Sequence, residues 1–448
     1  MTHIARRALS ALTATALLAG LLVGTPSAAR AAAVYYVAHD GVSYRGACAS
    51  ADFNTNDGGY DSDDDAIRAA VDAAANGDTI HICAGTYQLE STIIVFEDEL
   101  TFVGDGATKT ILDGGARWDL EDDGITPITP FTEPGVPILV SNADLTAEAI
   151  QFTGGYASEG SCGMGNSSGG AICAYHHLTV RDSSFISNAA DEYGGAIGAE
   201  TVDIDGSSFT GNISYQGGAI ILQGGSIANT EFTNNTALVG GAVYFCSWDN
   251  LFISNSTFTE NYTWDTMMGE DIGNGSAIYS YGDNYLLSIS SSMFIGNIAK
   301  GSGTVSVQDA YVAVNNSKFI GNSADRGAAL HAWGIGLSVT RSTFTGNTTT
   351  EYWGGGAINA PRADITSSTF SSNTALQHGG AVMLEYADGV LSGNTFKRNS
   401  ARQGGGAISF CSASRVALRQ ASHGNRFSGN RGKSSRDRDV ELGWGCFD

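Results

Sequence analysis

A single phrase, Phe-x-x-Asn, recurs ten times at a nearly constant spacing and constrains the fold more than any other feature of this sequence. Its phenylalanines are Phe185, Phe209, Phe232, Phe258, Phe294, Phe319, Phe344, Phe370, Phe396 and Phe427. Most intervals between them are 23 to 26 residues long. A unit of this length is one coil of a solenoid, and it buries its apolar face only by stacking on its neighbours.

A second phrase, Gly-Gly-Ala followed by an aliphatic residue, alternates with the first. It starts at Gly169, Gly194, Gly217, Gly240, Gly355, Gly379 and Gly405, with looser copies at Gly275, Gly303 and Gly327. Short alternating runs such as "VDIDGSSF" and "LSVTRSTF" connect the two phrases and predict strands. We therefore predict an all-β, right-handed parallel β-helix of about 12 coils. Each Phe should stack inward, each Asn should bond the coils above and below, and the glycines should make a turn.

The start of the chain has the pattern of an export signal. Arg6 and Arg7 precede an apolar run over residues 8–23, and small residues extend to Ala33. We interpret residues 1–33 as a signal peptide, and expect a secreted or extracellular mature chain without a transmembrane segment. Residues 34–115 are interpreted as an N-terminal cap with the first coils, 116–430 as the repeat β-helix, and 431–448 as a C-terminal cap.

The segment "SDDDAIRAAVDAAANGD" predicts the helix that closes the first coil. Ser62 stands where an N-cap is expected, acidic residues fill the first turn, and a Gly follows the apolar face. The face that carries Ile67 and Ala70 is expected to cover the open end of the solenoid.

The formal net charge of −23 excludes binding of nucleic acid through bulk charge. Acidic residues are dense over residues 52–65, "DFNTNDGGYDSDDD". Two interpretations stay open for this stretch: solvated acids that also cap a helix, or a calcium site without EF-hand spacing. No other cofactor is indicated.

Seven cysteines in an exported chain indicate disulfides with one thiol left over. We predict pairs between Cys48 and Cys83, between Cys162 and Cys173, and between Cys411 and Cys446, and a free thiol at Cys246. Many other connectivities are compatible with the sequence alone.

The two repeated phrases resemble the repeats of the chlamydial-type polymorphic outer membrane protein family. The segments "DAIRAAVDAAANGDTIHICAGTYQL" and "LTFVGDGATKTILDG" resemble the first coils of pectate-lyase-like right-handed β-helices. Together the resemblances imply a β-helix and adhesin-like binding at a surface. Only eighteen residues follow Asn430, so we expect secretion rather than insertion into an outer membrane.

Alternation along each strand predicts which side chains face outward. If the tetrad aliphatic residue points inward, the residues one and three positions later point outward and form two columns. The middle of these columns and the loops beside them are aromatic, and exposed aromatic rings suit stacking on sugars. The candidate ligand-binding residues are Tyr244, Trp264, Tyr279, Tyr281, His331, Trp333 and Trp353. The alternative is an aromatic ladder that only covers the sheet.

The sequence contains no catalytic constellation that we can assign. Glu200 and Glu385 lie many coils apart, Arg362 lacks a feature that would make it a base, and His378-Gly379-Gly380 only partly resembles a pectin-hydrolase motif. We expect a secreted, monomeric protein that binds a polysaccharide or cell-surface ligand without catalysis. A polysaccharide lyase or glycosidase using the same face, and a purely structural or adhesive surface protein, are the alternatives.

Overall fold

A computed structural model describes residues 30–442 of the chain with several internal gaps. The gaps are residues 40, 41, 43, 56–59, 61, 97, 118–134, 159–167, 247–248, 265–272, 283–284, 351–353, 387–388, 413–421 and 434–438. Most of the predicted signal peptide and most of the predicted C-terminal cap therefore lie outside the described residues. Among the described helices, none is both long enough and apolar enough to cross a membrane.

The described strands form three faces of a coil, which we name the large sheet, the Phe sheet and the short sheet. The large sheet has 26 strands. They are Val34–Ala38, Phe53–Asn54, Thr79–Ile82, Ile93–Val95, Leu100–Gly104, Leu139–Ser141, Leu145–Glu148, Ile172–Arg181, Ile197–Asp205, Ile220–Leu222, Gly224–Ala228, Val243–Cys246, Leu251–Ser254, Ile278–Tyr281, Leu286–Ser290, Val305–Gln308, Tyr311–Asn315, Leu330–Trp333, Gly336–Thr340, Ile358–Ala360, Asp364–Thr366, Val382–Tyr386, Leu391–Ser392, Ile408–Ser412, Ser422–His423 and Val440–Leu442.

The Phe sheet contributes one three- or four-residue strand per coil and has 13 described strands. They are Gly85–Gln88, Thr110–Asp113, Gln151–Thr153, Ser184–Ile186, Ser208–Thr210, Glu231–Thr233, Thr257–Thr259, Met293–Ile295, Lys318–Ile320, Thr343–Thr345, Thr369–Ser371, Thr395–Lys397 and Arg426–Ser428. The short sheet comprises Tyr156–Ala157, Ala189–Ala190, Ile213–Gln216, Thr236–Val239 and Tyr262–Thr263, and then Ser323–Ala324, Thr348–Thr349, Thr374–Ala375 and Ser400–Ala401. Single bridges through Ile298 join its two parts.

The strand register shows how the coils stack. On each sheet a strand pairs in parallel with its counterpart one coil away, as Ile278 does with Val305 and Phe258 does with Phe294. Parallel pairing on all three faces, with every coil feeding the next, gives a right-handed parallel β-helix. The predicted fold class is confirmed.

The Phe of each repeat lies inside the coil, as predicted. From Phe152 to Phe427 each ring stacks on the next, with centroids 4.5–5.1 Å apart and planes within 9° of parallel. The rings from Phe152 to Phe396 are fully buried. Each contributes roughly 1.5–3 kcal/mol through burial alone, which makes this column a main source of stability.

The Asn of each repeat forms a buried ladder, and this prediction is also confirmed. The side chain of Asn297, for example, donates from Nδ2 to the Phe258 carbonyl at 2.9 Å and to Oδ1 of Asn322 at 3.0 Å. Its own Oδ1 accepts from the backbone N–H and from Nδ2 of Asn261, both at 3.0 Å. Every hydrogen-bonding group of the amide is thus satisfied, as burial requires.

The glycine pair makes the turn between the short sheet and the large sheet. Gly217 has a φ of +69°, and a β-carbon there would lie 2.3 Å from the Ile220 carbonyl oxygen. A β-carbon on Gly218 would lie 2.1 Å from the Gly241 carbonyl oxygen in the next coil. Backbone conformation requires glycine at the first position, and close approach of the next coil requires it at the second.

A helix, Asp63–Ala73, lies against the first coils, and a short 3-10 helix, Gly46–Ser50, belongs to the N-terminal arm. The Asp63–Ala73 helix buries Ala66, Ile67 and Ala70 against the core. Ser62 is the N-cap residue, as predicted, but its hydroxyl makes no capping bond and instead hydrogen-bonds the Asp64 carboxylate. Burial alone would raise the pKa of Asp64, but hydrogen bonds from Ser91 and Ser62 outweigh it and lower that pKa.

The cysteine predictions have mixed outcomes. The Cys48–Cys83 disulfide is confirmed, with Cα atoms 6.0 Å apart, and Cys246 is confirmed as a free thiol. Cys411 is disulfide-bonded, whereas its predicted partner Cys446 lies outside the described residues. Cys173, predicted to pair with Cys162, is buried with small apolar side chains and Tyr175, and that bond stays a prediction. Cys162 itself lies outside the described residues.

Candidate functional site

The predicted outward columns differ in exposure. One position after the tetrad aliphatic residue, Tyr279 and His331 are each only 8 % exposed. Their predicted exposure is wrong: the turn at Gly303 approaches His331, where an added β-carbon would lie 2.9 Å from the His331 Cβ, and the Tyr279 ring stacks on Tyr244 with centroids 5.5 Å apart. Alternation gave the direction of these side chains correctly but not what lies over them.

The second column, three positions after the tetrad aliphatic residue, is exposed in its middle. Tyr281 is 55 % exposed and Trp333 is 42 % exposed. Both are aligned with Gln308, since Tyr281 pairs with Gln308 and Gln308 pairs with Trp333 in the register of the large sheet. Two coil steps therefore separate the two aromatic residues, a distance of about 10 Å at ordinary strand spacing.

Trp333 lies beside a buried polar pair that fixes its surroundings. The rings of His331 and Trp333 are nearly parallel, with an interplanar angle of 14° and centroids 5.9 Å apart. Asn359 in the next coil hydrogen-bonds Nδ1 of His331 at 3.2 Å. Burial, helped by the charge of Arg326, lowers the pKa of His331 to about 4, so the imidazole is neutral at physiological pH. His331 is therefore placed to position Trp333 rather than to carry charge.

Tyr244 and Tyr279 form a second aromatic pair on the buried column. Their rings are stacked at 5.5 Å, and burial raises the pKa of Tyr244. Cys246 follows on the exposed column and pairs with Tyr281 in the register. Burial also raises the pKa of the Cys246 thiol, which keeps it protonated and poorly nucleophilic.

The two remaining candidate tryptophans are not shown to join this group. Trp264 is half-buried, and its backbone N–H donates to the Ala237 carbonyl. Trp353 lies outside the described residues, as do residues 265–272, which follow Trp264 in the sequence. Their proposed role in binding stays a prediction.

A cavity of about 420 Å³ lies where the large sheet bends beyond Gln308, and sequence reasoning missed it. Tyr311, Tyr285, Asn250 and Asp364 are among its lining residues. Tyr311 is exposed, and a β-carbon on Gly336 in the next coil would lie 3.3 Å from its ring. The only sequence signal for this cavity is a Gly beside a Tyr in consecutive coils, which is visible once the register is known.

A second, larger groove of about 1050 Å³ runs across several coils between the Phe sheet and the short sheet. Asp113 and Arg117 lie towards one end, and Glu260 and Tyr262 towards the other. The Asp113 carboxylate is held by Arg117 at 2.8 Å and by the Gly115 N–H at 2.9 Å. Its polar contacts are thus made within the protein.

The carboxylates and bases considered for catalysis are dispersed. Glu200 is exposed and Glu385 is half-buried, in separate coils of the large sheet. Arg362 lies over the Tyr386 ring at 5.3 Å. His378 contacts Glu441 at 3.2 Å, and Glu441 also accepts from the Ser409 hydroxyl. Among the described residues this gives no pair of carboxylates flanking the exposed aromatic column.

The acidic stretch considered for calcium is partly described. Asp52 accepts from the Tyr36 N–H, and Asp63 accepts from the Gln88 N–H. Asp64 accepts from the Ser91 hydroxyl at 2.5 Å and contacts Arg68 at 2.9 Å. These contacts fit the helix-start interpretation for the described acids, and calcium binding stays a prediction.

Comparison with known proteins gives distant similarities of fold. No family model matches the chain, and no curated protein matches its sequence. A mannuronic acid specific polysaccharide family 6 lyase from human gut microbiota is 11% identical with a TM-score of 0.37, covering 88% of this chain and 82% of the lyase. The Streptococcus pneumoniae surface protein and adhesin PfbA is 12% identical with a TM-score of 0.34, covering 86% of this chain and 96% of PfbA. A Yersinia enterocolitica family 28 exopolygalacturonase is 9% identical with a TM-score of 0.22, covering 84% and 74%.

These similarities extend neither to activity nor to ligand. Membership of the polymorphic outer membrane protein repeat family is not matched and stays a prediction.

Proposed function

We propose that this chain is an exported, monomeric β-helix protein that binds an extracellular polysaccharide through Tyr281 and Trp333 and does not cleave it. The proposal includes adhesin-like binding at a surface, as the resemblance to the polymorphic outer membrane protein repeats implies. Export by the signal at residues 1–33 is part of the same proposal.

One observation carries it: two large aromatic side chains are exposed in line along the helix axis, with an amide between them. Sugar rings stack on aromatic faces through their C–H groups, and amides hydrogen-bond their hydroxyls. The register places Tyr281, Gln308 and Trp333 in successive coils. A polysaccharide lying parallel to the helix axis would meet the two rings about 10 Å apart, with the Gln308 amide in between.

The neighbouring cavity supports the same ligand class. Its polar lining includes Asn250 and Asp364, and its aromatic wall is Tyr311. Tyr285, also in the lining, hydrogen-bonds the Ser280 hydroxyl beneath the strand that ends at Tyr281. A sugar substituent or a branch could therefore enter this cavity while the main chain stacks on the exposed rings.

The test is binding of the mature chain to a panel of neutral and acidic polysaccharides, measured by affinity electrophoresis. Glycan length is followed by light scattering in the same samples. Loss of one stacked ring costs about 1–2 kcal/mol, so Tyr281→Ala and Trp333→Ala should each weaken binding about 5- to 30-fold. Tyr215→Ala is the matched control, since Tyr215 is similarly exposed but lies on the short sheet.

The outcomes separate the alternatives. Unchanged binding by the Tyr281→Ala, Trp333→Ala double variant would refute the proposed face. A falling glycan length would instead show a polysaccharide lyase or glycosidase. Absence of binding to every glycan would favour a structural or protein-binding adhesive role.

A further inference from the structure

We propose that the Cys48–Cys83 pair, when reduced, forms a zinc site together with His81 and Asp105. The site lies at the base of the N-terminal arm, on coils away from the exposed aromatic column. It is independent of the polysaccharide proposal.

The geometry is that of a four-ligand cluster. Each of the four residues offers one ligand atom, and these atoms all lie within 4.8 Å of one another. Nε2 of His81 is 2.9 Å from Oδ1 of Asp105, and Sγ of Cys48 is 4.0 Å from Oδ2 of Asp105. Two sulfurs, one imidazole nitrogen and one carboxylate oxygen make a donor set that suits tetrahedral zinc.

The fold brings these residues together from three segments. His81 and Cys83 are two positions apart on one strand path, so they share a face. Asp105 directly follows the neighbouring strand Leu100–Gly104, in which Val103 pairs with His81. Cys48 comes from the 3-10 helix Gly46–Ser50 of the arm, whose strand Val34–Ala38 pairs with Thr79–Ile82.

The surroundings hold the nitrogen and oxygen ligands in place. Oδ2 of Asp105 accepts from the Ala84 N–H at 2.8 Å, which leaves Oδ1 directed to His81. The His81 ring packs beside Tyr36 with ring centroids 5.1 Å apart. His81 and Asp105 are both partly exposed, so an ion can reach them from solvent. Outer contacts of this kind orient metal ligands and commonly change affinity 10- to 100-fold.

The oxidation state decides whether the sulfurs are available. In the disulfide they are bonded to each other and neither is a thiolate. A water-soluble phosphine transfers two electrons to the bond and becomes its oxide, while water supplies the oxide's oxygen and the two protons of the new thiols. Zinc then displaces both thiol protons. With Zn–S bonds of about 2.3 Å, a tetrahedral ion holds two sulfurs about 3.8 Å apart, close to the distance at which two unbonded sulfurs touch.

Zinc would thus join the arm to the first coils whenever the covalent bond is absent. The Cα atoms of the two cysteines are 6.0 Å apart, so two cysteine side chains can span the gap with an ion between their sulfurs. The same two segments would be tied in either redox state, by sulfur–sulfur bonding in one and by metal in the other.

The experiment compares the oxidised and phosphine-reduced mature chain for binding of zinc and cobalt(II). Zinc is measured by competition with a chromophoric chelator, and cobalt by its thiolate charge-transfer and tetrahedral absorption bands. We expect the reduced protein to bind one more zinc ion than the oxidised protein. His81→Ala and Asp105→Asn should weaken that binding at least about 10-fold.

Controls separate this site from other thiols and histidines. His177→Ala is the matched control, because His177 also lies beside a carboxylate, Asp203 at 3.5 Å, on the large sheet. Reduced Cys48→Ser keeps every other cysteine and should lose the extra ion. Zinc should also raise the melting temperature of the reduced wild type but not of reduced His81→Ala. Equal zinc binding by oxidised and reduced protein, or by wild type and Cys48→Ser, would overturn the proposal.

Discussion

Replacing Asn297 by Ala should locally unfold the middle of the β-helix. The substitution removes four side-chain hydrogen bonds, two donated and two accepted. It leaves two buried groups without a partner, the Asn261 N–H and one N–H of the Asn261 amide, and removes one of the hydrogen bonds to the Phe258 carbonyl. Each unpaired group costs about 1–3 kcal/mol, so the expected loss is about 2–6 kcal/mol. That range overlaps the whole unfolding free energy of a typical domain.

The effect should be confined in space, because a coil of a solenoid contacts only its neighbours. Hydrogen exchange followed by mass spectrometry measures this directly. Backbone amides in the coils of Phe258, Phe294 and Phe319 should lose protection, while those around Phe396 keep it. Asn315→Ala is the control. Asn315 is the last residue of the strand Tyr311–Asn315, and its side-chain oxygen accepts a hydrogen bond from the exposed Arg341. It should change stability by less than about 0.5 kcal/mol.

The isosteric variant Asn297→Asp separates hydrogen bonding from packing. It keeps the shape of the side chain but places a carboxylate oxygen where Nδ2 of Asn297 donates. That oxygen would then face two other acceptors, the Phe258 carbonyl oxygen and Oδ1 of Asn322. Burial and this repulsion should raise the carboxyl pKa, and stability should therefore fall as pH rises above about 4. If Asn297→Ala costs no more than Asn315→Ala, or if Asn297→Asp matches the wild type at pH 7, the ladder does not stabilise the fold as argued.

Three further predictions follow from single residues. Burial lowers the pKa of His331 from 6.5 to about 4, so between these pH values the unfolded chain binds a proton at His331 and the folded chain does not. The free energy of unfolding should therefore fall by about 3 kcal/mol between pH 6.5 and pH 4. Denaturant unfolding measured at a series of pH values should show this fall in the wild type but not in His331→Asn. Phe294→Ala removes the ring that stacks between Phe258 and Phe319, with centroids 4.8 and 4.5 Å away. The substitution should lower the free energy of unfolding, measured with denaturant, by about 3–5 kcal/mol. A change close to zero would show that the neighbouring side chains close the cavity and that the argument is wrong. Gly321→Ala and Gly327→Ala both introduce a side chain at positive φ, but only the second meets a backbone oxygen, at 2.5 Å; calorimetry should show about 1 kcal/mol lost for the first and clearly more for the second.

The repeated features were predictable because they are periodic. The Phe stack, the Asn ladder and the glycine turn each follow from one residue type that returns at the coil length, and stacking leaves such residues few other roles. A further ladder escaped notice although its signal is equally regular. The backbone N–H of Ser256 donates to the hydroxyl of Ser292, and the backbone N–H of Ser292 donates to the hydroxyl of Ser317. Each of these serines lies two positions before the Phe of its repeat. Serine is common in loops as well, so its regularity was less conspicuous.

The candidate site was predictable only in part, for a geometric reason. Strand alternation fixed the direction of Tyr279, Tyr281, His331 and Trp333, but exposure depends on what crosses above them. Tyr279 and His331 on the first column are buried, whereas Tyr281 and Trp333 on the second are exposed. The cavity beside Tyr311 depends on the bend between two strands of one coil, which no local pattern encodes.

The Asn ladder also has a polarity. Every amide from Asn188 to Asn399 donates from Nδ2 to Oδ1 of the next coil, so all of these dipoles point the same way and reinforce one another. The positive end emerges at Asn430, where the final Nδ2 donates to the Asp439 carboxylate at 2.9 Å. A carboxylate at that point balances the accumulated partial charge, as an acid does at the start of an α-helix. It also accepts without offering a donor in return, so the column closes there, and a further asparagine coil could not be added without displacing Asp439.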